Sequence, residues 1–202
     1  MIAVIDYGTG NLQSVVNAFR YLGEKVEVCA AGKDLSRAEK IVLPGVGSSH
    51  AAMEELIARG FIEPLLAHLK GGTPFLGICL GLQLLFTESP EGPGCACLNV
   101  VSGEVKLFPG GPAMKVPQIG WNTVAVQKND CPLFKDIKDN SYFYFVHSYY
   151  CETKDPGLAA GVTEYGARYV SALWKDNIFA VQFHPERSQE NGLKLLKNFA
   201  AL

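Results

Sequence analysis

The stretch "TPFLGICLGLQLLF", residues 73–86, places a cysteine between two glycines where a strand pattern gives way to a helix pattern. Gly77 and Gly81 lack the Cβ atoms that would collide in so sharp a turn. The spacing is that of GxCxG, the thiol counterpart of the GxSxG nucleophile elbow. It predicts that Cys79 lies at the carboxyl end of a central strand, where open α/β sheets place their ligands.

The segments before this turn alternate between strand and helix patterns. Short apolar runs predict strands, and apolar residues at helical spacing predict helices. The predicted strands cover residues 2–6, 25–29, 40–45 and 73–79, and the predicted helices cover 12–22, 48 or 49 to 59, and 80–86. Alternation of this kind favours a parallel sheet with helices on its faces.

The second half of the chain contains mostly strand-like segments. The predicted strands cover 103–108, 123–127, 142–152, 158–163, 169–174 and 178–184, and a final helix covers 189–201. Short turns between such runs favour antiparallel pairing. The predicted fold class is therefore α/β, a three-layer sandwich with a mostly parallel central sheet, helices on both faces and extra antiparallel strands in the second half. We expect one domain over residues 1–202.

Composition argues against several classes of protein. Hydrophobic residues make up 48% and charged residues 19%, which is typical of globular chains. A net charge of -2 gives no attraction to nucleic acid or to anionic membranes. No apolar run approaches the roughly 18–20 residues of a membrane span, and the N-terminus lacks a signal-peptide pattern. We expect a cytoplasmic protein that binds neither nucleic acid nor membrane.

The six cysteines are expected to be free thiols, because a chain of this length without an export signal has little need of disulfides. Cys95 and Cys97 form a CxC pair, but no second ligand pair stands at the spacing of a zinc site. We therefore predict no metal site and no cofactor.

A thiol nucleophile requires a base and a group that orients the base. In "FAVQFHPERS", residues 179–188, the apolar strand ends at His184, and Pro185 favours extended geometry in the residue before it. His184 and Glu186 are then directed to the same side, where Glu186 would orient the imidazole that takes the proton of Cys79. Read separately, Cys79 fits a small buried hydrophobe and Glu186 a solvated carboxylate.

The other histidines fit this role less well. His147 is the rival base, but it lies inside an aromatic strand and no acid follows it closely. His50 and His68 lie on predicted helices and are expected at the surface.

Two backbone segments are predicted to stabilise an oxyanion. The Leu80 N–H follows the nucleophile at a helix N-terminus, whose partial positive charge also favours the thiolate. Gly45 and Val46 in "PGVG", residues 44–47, offer the second donor. A phosphate loop is the competing function, but the GK[ST] ending of a P-loop is missing, and an ordinary tight turn remains an alternative.

These motifs, in this order, resemble those of the triad-type, class I glutamine amidotransferases. The residues that carry the resemblance are "PGVG" at 44–47, "GICLGLQLLF" at 77–86 and "QFHPERS" at 182–188. A narrower set is similar to the glutaminase subunits of imidazole glycerol phosphate synthases, namely "DYGTGN" at 6–11, "KVPQIGWN" at 115–122 and "YFVHSYY" at 144–150. The resemblance runs from Asp6 to Ser188.

The resemblance implies that Cys79 attacks the side-chain amide of glutamine, which releases ammonia and leaves a glutamyl thioester. Water activated by His184 then frees glutamate. The residues that it places around the glutamine are Gly47, Gln83, Glu91, Ser148 and Tyr149. From the residues alone, Gln83 also fits a helix-surface position and Tyr149 a packed sheet face.

The resemblance also implies a partner, because ammonia in neutral water is largely protonated and must be handed over in a protected path. The family partner is a cyclase of (β/α)8-barrel type, which forms a heterodimer with the glutaminase and acts on a phosphorylated aminoimidazole carboxamide ribonucleotide. Asn11, Trp121 and Tyr144 match positions that the family places at or near this interface. Trp121 also fits a core position.

Three positions depart from the family pattern. His50 stands where an aromatic residue is common, Gln118 where histidine is frequent, and Arg187 where lysine is usual. Arginine and lysine donate hydrogen bonds with different geometry.

Three other functions are alternatives to this one. A glutaminase that serves another biosynthetic synthase stays open. A thiol hydrolase of the intracellular-protease type normally carries histidine directly after the nucleophile, where this chain has Leu80. A silent interaction protein would normally have lost part of the triad.

Overall fold

A computed structural model describes residues 1–8, 11–111 and 114–202; Thr9 and Gly10 of the DYGTGN motif lie outside the described residues. The strands are β1 Ile2–Ile5, β2 Val26–Cys29, β3 Lys40–Gly45, β4 Phe75–Cys79, β5 Glu88–Ser89, β6 Cys95–Ala96, β7 Gly103–Leu107, β8 Gln118–Val126, β9 Ser141–His147, β10 Tyr149–Thr153, β11 Ala159–Glu164, β12 Arg168–Lys175 and β13 Ile178–Val181. The α-helices are α1 Leu12–Tyr21, α2 Ser49–Ala58, α3 Ile62–Lys70, α4 Leu80–Gln83 and α5 Gln189–Ala200.

A block of five parallel strands forms the centre of the sheet, in the order β2-β1-β3-β4-β13. Strand β4 lies between β3 and β13, with Cys79 opposite Gly45 and Ile78 opposite Val181. Because parallel strands end at the same edge, the Cys79 turn, the PGVG segment and the chain that follows β13 meet there.

The remaining strands extend this block, mainly by antiparallel pairing. β12 pairs with β13, β10 with β12, and β7 with β10, all antiparallel. A branch leaves the path at β12 and passes through β11 to β8 and β9. The predicted α/β class with antiparallel strands in the second half is confirmed.

Alternate residues of each strand point to opposite sides of the sheet. The parallel strands carry apolar residues on both sides, and helices cover both faces. On one face, Ala3 and Ile5 of β1 pack in a core with buried residues of α2 and α3. On the other face, Ile2 and Val4 share a core with buried residues of α1 and α5. The predicted three layers are therefore present. Among the described residues, no helix is long and apolar enough to cross a bilayer.

Three predicted boundaries were wrong, and the first is that of the strand predicted over 178–184, which ends at Val181. The helix predicted over 80–86 ends at Gln83, because the Leu85 and Phe86 amides donate to carbonyls three residues back, which tightens the chain. The strand predicted from 123 begins five residues earlier, since β8 pairs with β9 from Gln118 onward.

The aromatic segment predicted as one strand over 142–152 is two strands. β9 forms a hairpin with β8, whereas β10 lies in the main sheet between β7 and β12. Ser148 stands at the change of partner, where its carbonyl accepts a hydrogen bond from the Phe108 amide. The alternating pattern continues through Ser148, so local sequence gave no signal of the break.

Candidate active site

Cys79 ends β4 and turns directly into α4, with φ 54° and ψ -104°. A positive φ is uncommon for a residue with a side chain and marks strain at a functional turn. A Cβ at Gly81 would lie 1.9 Å from the Leu43 carbonyl oxygen, and one at Gly77 would lie 2.6 Å from the Gly81 oxygen. Both glycines are therefore required by close approach of backbones.

His184 and Glu186 form a buried pair where the chain leaves β13. The His184 Nδ1 and Glu186 Oε1 atoms are 2.8 Å apart, and the two side chains are 3% and 0% exposed. A carboxylate only accepts hydrogen bonds, so Nδ1 carries the proton of this pair. The Nε2 atom of the imidazole is then left for proton transfer.

His184 also lies within electrostatic reach of Cys79. Burial alone would lower the pKa of His184, but the Cys79 sulfur and then the Glu186 carboxylate raise it to about 10. The buried Nε2 makes no hydrogen bond of standard geometry to any described residue. The cationic imidazole is thus favoured while the sulfur is a thiolate, which suits a thiolate–imidazolium pair.

Glu186 has a second partner that sequence reasoning missed. Its Oε1 accepts a hydrogen bond from Asn11 Nδ2, at the start of α1, where Asn11 has φ 73°. Arg187 Nη2 in turn donates to Asn11 Oδ1 at 3.4 Å. The Glu186 Oε2 is buried and has no hydrogen-bond partner in the described part of the chain. Asn11, predicted at a partner interface, therefore contacts the carboxylate that was predicted to orient His184.

A cavity of about 280 Å³ opens beside Cys79. It is lined by Val46, Gly47, Cys79, Leu80, Gln83, Glu91, Pro117, Val146, His147, Ser148 and Tyr149. The five residues that the family resemblance places around glutamine are all among them. A cavity of this size suits a single amino acid.

The PGVG segment lies alongside the elbow. Gly45 is the ladder partner of Cys79, and Gly47 has φ 97° with open space around its Cα. A Cβ at Gly45 would lie 1.9 Å from the Tyr7 hydroxyl oxygen. Gly45 is thus fixed by packing, while Gly47 keeps the conformational freedom of a glycine at the cavity.

Two glutamine side chains lie close to Cys79: Gln83 lines the cavity, and Gln182 contacts the Cys79 sulfur. Gln83 Nε2 donates to the Tyr149 carbonyl at 3.1 Å and to Gln182 Oε1 at 3.3 Å. Gln182 Nε2 donates to Cys79 Sγ at 3.6 Å. No role was predicted for Gln182, although it lies two residues before His184 in a motif that the sequence singles out.

Glu91 lines the cavity but is also engaged in the fold. Its Oε2 accepts hydrogen bonds from the Ser49 amide at 2.7 Å and from the Ser49 hydroxyl at 3.2 Å. These contacts satisfy amide and hydroxyl donors at the start of α2, where a carboxylate is favoured. Glu91 therefore ties α2 to the rim of the cavity.

His147, the rival base, is buried in a network of its own. Its Nδ1 donates to the Tyr149 carbonyl at 2.8 Å, and its Nε2 lies 3.3 Å from the Tyr169 hydroxyl, which donates to Gln118 Oε1 at 2.9 Å. Burial lowers the pKa of His147 to about 4. No carboxylate is among these partners. Gln118, one of the departures from the family pattern, is thus an interior residue.

One face of the β8–β9 hairpin exposes apolar side chains near the cavity. Ile119 and Trp121 of β8 are 64% and 46% exposed, and Tyr142 of β9 is 59% exposed. The rings of Trp121 and Tyr144 meet edge to face at 6.1 Å. We call these four residues the hairpin face. Trp121 is not a core residue, which resolves the alternative left open by the sequence.

The backbone of Tyr144 is tied to the segment that carries the triad. Its carbonyl accepts from the His184 amide at 2.9 Å, and its amide donates to Ser188 Oγ at 2.9 Å. The Ser188 hydroxyl donates to the His184 carbonyl at 2.6 Å. The hairpin face and His184 are therefore joined through main-chain contacts.

The remaining candidates do not line the cavity. His50 Nε2 is 3.5 Å from Glu54 on α2, and His68 Nδ1 is 3.0 Å from the Thr73 hydroxyl. The sulfur atoms of Cys95 and Cys97 are 3.9 Å apart. Within residues 1–8, 11–111 and 114–202, no three His, Cys, Asp or Glu side chains are grouped as a metal site.

Comparison with known proteins agrees with this geometry. A family model described as "Glutamine amidotransferase class-I" matches residues 3–202. A protein of Syntrophotalea carbinolica named "Imidazole glycerol phosphate synthase subunit HisH" is 47% identical over 204 residues, covering 98% of this chain and 98% of the relative. A protein of the same name from Chlorobium chlorochromatii is 48% identical over 203 residues and covers all of both chains.

Solved structures share the fold at low sequence identity. The "Structure of PurLQS from Thermotoga maritima" has a TM-score of 0.77 at 17% identity and covers 99% of this chain and 97% of that one. A "Crystal structure of glutamine amidotransferase" has a TM-score of 0.77 at 16% identity, covering 100% of this chain and 98% of that chain.

Proposed function

Because this chain belongs to the class I glutamine amidotransferase family, we propose that it is the glutaminase subunit of an imidazole glycerol phosphate synthase in histidine biosynthesis. The observation that carries the proposal is the 47% identity to a subunit of that synthase over nearly the full length of both chains. Residues 1–202 would act as one glutaminase domain in the cytoplasm. The reaction hydrolyses glutamine to glutamate and delivers the ammonia to a partner.

The first step is acylation of the sulfur. Cys79 Sγ attacks the side-chain amide carbon of a glutamine held in the cavity, and the proton of the thiol resides on His184 Nε2. Glu186 fixes the tautomer through Nδ1 and stabilises the imidazolium. Collapse of the tetrahedral intermediate passes that proton to the leaving nitrogen, so ammonia departs and a glutamyl thioester remains.

The second step is hydrolysis of the thioester. His184 takes a proton from the attacking water and returns it to the Cys79 sulfur as glutamate leaves. In both steps the charge on the carbonyl oxygen would be held by the Leu80 N–H and by a peptide N–H of the segment Gly45 to Gly47. The freedom of Gly47 makes rotation of such a peptide inexpensive.

A partner follows from the fate of the ammonia. We propose a (β/α)8-barrel cyclase that docks on the hairpin face and beside Asn11, close to the cavity. Docking would complete the oxyanion site by turning a peptide N–H of the PGVG segment inward, so that glutamine is not hydrolysed unproductively. The aromatic and aliphatic side chains of the hairpin face suit an interface core.

The decisive experiment measures glutamate release by the chain with and without the cyclase subunit of the same organism. Release should rise on addition of the cyclase and its ligand, and Cys79→Ala should abolish it in both states. Ser148→Ala, at the cavity but outside the proton path, serves as the matched control and should mainly raise KM. Full activity of the isolated chain would contradict the gating step, and unchanged release by Cys79→Ala would contradict the nucleophile.

A glutaminase that serves another synthase is the second candidate, because the proposed chemistry at Cys79 does not depend on which synthase takes up the ammonia. The same assay separates the two, because only the cyclase of imidazole glycerol phosphate formation should stimulate the proposed enzyme. If a different synthase stimulated glutamate release instead, the chain would be assigned to the pathway of that synthase.

A further inference from the structure

The side chain of Gln182 lies behind the nucleophile and is wholly buried. It follows β13 directly, has 0% exposure, and its backbone amide donates to the Ser171 carbonyl. Burying a carboxamide is unfavourable unless both of its ends have partners. Gln182 has one at each end, Gln83 at Oε1 and Cys79 Sγ at Nε2.

Chemistry fixes which end of the Gln182 carboxamide faces the sulfur. The Tyr149 carbonyl can only accept, so the Gln83 atom beside it is the nitrogen. That nitrogen also faces Gln182, so the Gln182 atom it meets is the oxygen. The Gln182 nitrogen is then left to face Cys79. The orientation of two amides, which electron density alone seldom assigns, is thus set by one main-chain carbonyl.

A donor at this place discriminates between the two states of the sulfur. A thiol sulfur is a weak acceptor, whereas a thiolate accepts a charge-assisted hydrogen bond. Another polar neighbour of Cys79 Sγ is the Val146 carbonyl at 3.9 Å, which suits the S–H of the neutral form. The Gln182 N–H therefore acts on the thiolate in particular.

Gln182 is separate from the substrate-binding surface. The residues that line the cavity include Cys79 and Gln83 but not Gln182. Its effect on the reaction therefore passes through the Cys79 sulfur or through Gln83, and not through direct contact with glutamine.

We propose that Gln182 is a positioning residue that donates its Nε2–H to the Cys79 thiolate and holds the sulfur toward the cavity, in an orientation imposed by Gln83 and the Tyr149 carbonyl. The inference rests on the proposed function only in taking Cys79 as the nucleophile. It adds a hydrogen-bond donor to the His184 imidazole as a group that acts on the Cys79 sulfur.

The test follows alkylation of Cys79 by iodoacetamide, with the modified peptide quantified by mass spectrometry so that the other five thiols do not interfere. Gln182→Met keeps the approximate volume and removes the donor. Its alkylation rate at pH 7 should fall about tenfold, the low end for a hydrogen bond to a charged group, while the rate at pH 10 stays that of the unsubstituted chain. Gln182→Glu, which places a carboxylate beside the sulfur, should reduce the rate at pH 7 further.

The control is Gln118→Met, which alters another buried glutamine whose carboxamide binds Tyr169, and it should leave the pH 7 to pH 10 ratio unchanged. In the unsubstituted chain, the side-chain amide resonances of Gln182 should shift when Cys79 is alkylated, so the proposal can be tested even if a variant does not fold. An unchanged ratio in a folded Gln182 variant, or amide resonances insensitive to alkylation, would overturn the proposal. Absence of glutaminase activity with any cyclase would overturn the proposed function without affecting these measurements.

Discussion

Acidification should destabilise this protein through His147, in a pH window set by the burial of its ring. Burial lowers the pKa of His147 from 6.5 to about 4, with the His184 charge adding to the effect and the Tyr149 carbonyl opposing it. Between pH 6.5 and about pH 4, the His147 imidazole binds a proton in the unfolded chain but stays neutral in the folded chain. The unfolded state thus binds more protons, and stability is lost as pH falls through this window.

The magnitude follows from the width of that window. Each pH unit between the two pKa values costs about 1.4 kcal/mol, so the whole interval is worth about 3 kcal/mol of unfolding free energy. Since typical domains are stable by only about 5–15 kcal/mol, such a loss is readily measured.

The assay is urea unfolding followed by circular dichroism at pH 7, 6, 5 and 4.5. His147→Gln keeps a polar donor near the Tyr149 carbonyl but cannot titrate, so its stability should fall less between pH 6.5 and 4.5 than that of the unsubstituted chain. Tyr169→Phe disturbs the same network yet keeps the imidazole, and it should retain the full pH-dependent loss. Equal losses in the unsubstituted chain and His147→Gln would refute the reasoning.

Two further predictions concern the triad and the hairpin face. In Glu186→Gln, a neutral amide replaces the carboxylate whose Oε1 accepts from both His184 and Asn11, so both hydrogen bonds lose their charge assistance. Urea unfolding should report a loss of about 1–3 kcal/mol, and the pKa of His184 should fall because a carboxylate that raises it is gone; stability and a pH–activity profile equal to those of the unsubstituted chain would contradict this. Trp121→Ala should weaken cyclase binding about 30-fold or more by calorimetry, as for a truncated aromatic anchor, while glutamate release by the isolated chain stays unchanged, and an unaltered Kd would place the interface elsewhere.

The sequence predicted the parts of this molecule that depend on neighbouring residues. Glycines around Cys79 predicted the sharp turn because backbone contact there tolerates no Cβ, and the structure has that contact at Gly77 and Gly81. The spacing of His184 and Glu186 likewise predicted one carboxylate beside one ring. Alternating strands and helices predicted the parallel block and the layers on its faces.

Contacts between distant residues could not be predicted in this way. Asn11 and Glu186 are 175 positions apart, and Gln182 and Cys79 are 103 apart, so no local pattern links them. Glu91 holds Ser49 only because the start of α2 and the loop after β5 meet at the rim of the cavity. A polar residue inside a known motif, such as Gln182 in "QFHPERS", was the one available signal.

The attachment of Tyr144 to the His184 segment has a mechanical consequence. Its ring belongs to the hairpin face, while its carbonyl accepts from the His184 amide and its amide donates to the Ser188 hydroxyl. A bound molecule that displaces this ring would act on the His184–Ser188 segment through the two peptide units that flank the Tyr144 Cα. A small displacement of the β8–β9 hairpin would therefore also shift the His184 imidazole. Strand β9 thus couples the exposed hairpin face mechanically to the candidate active site.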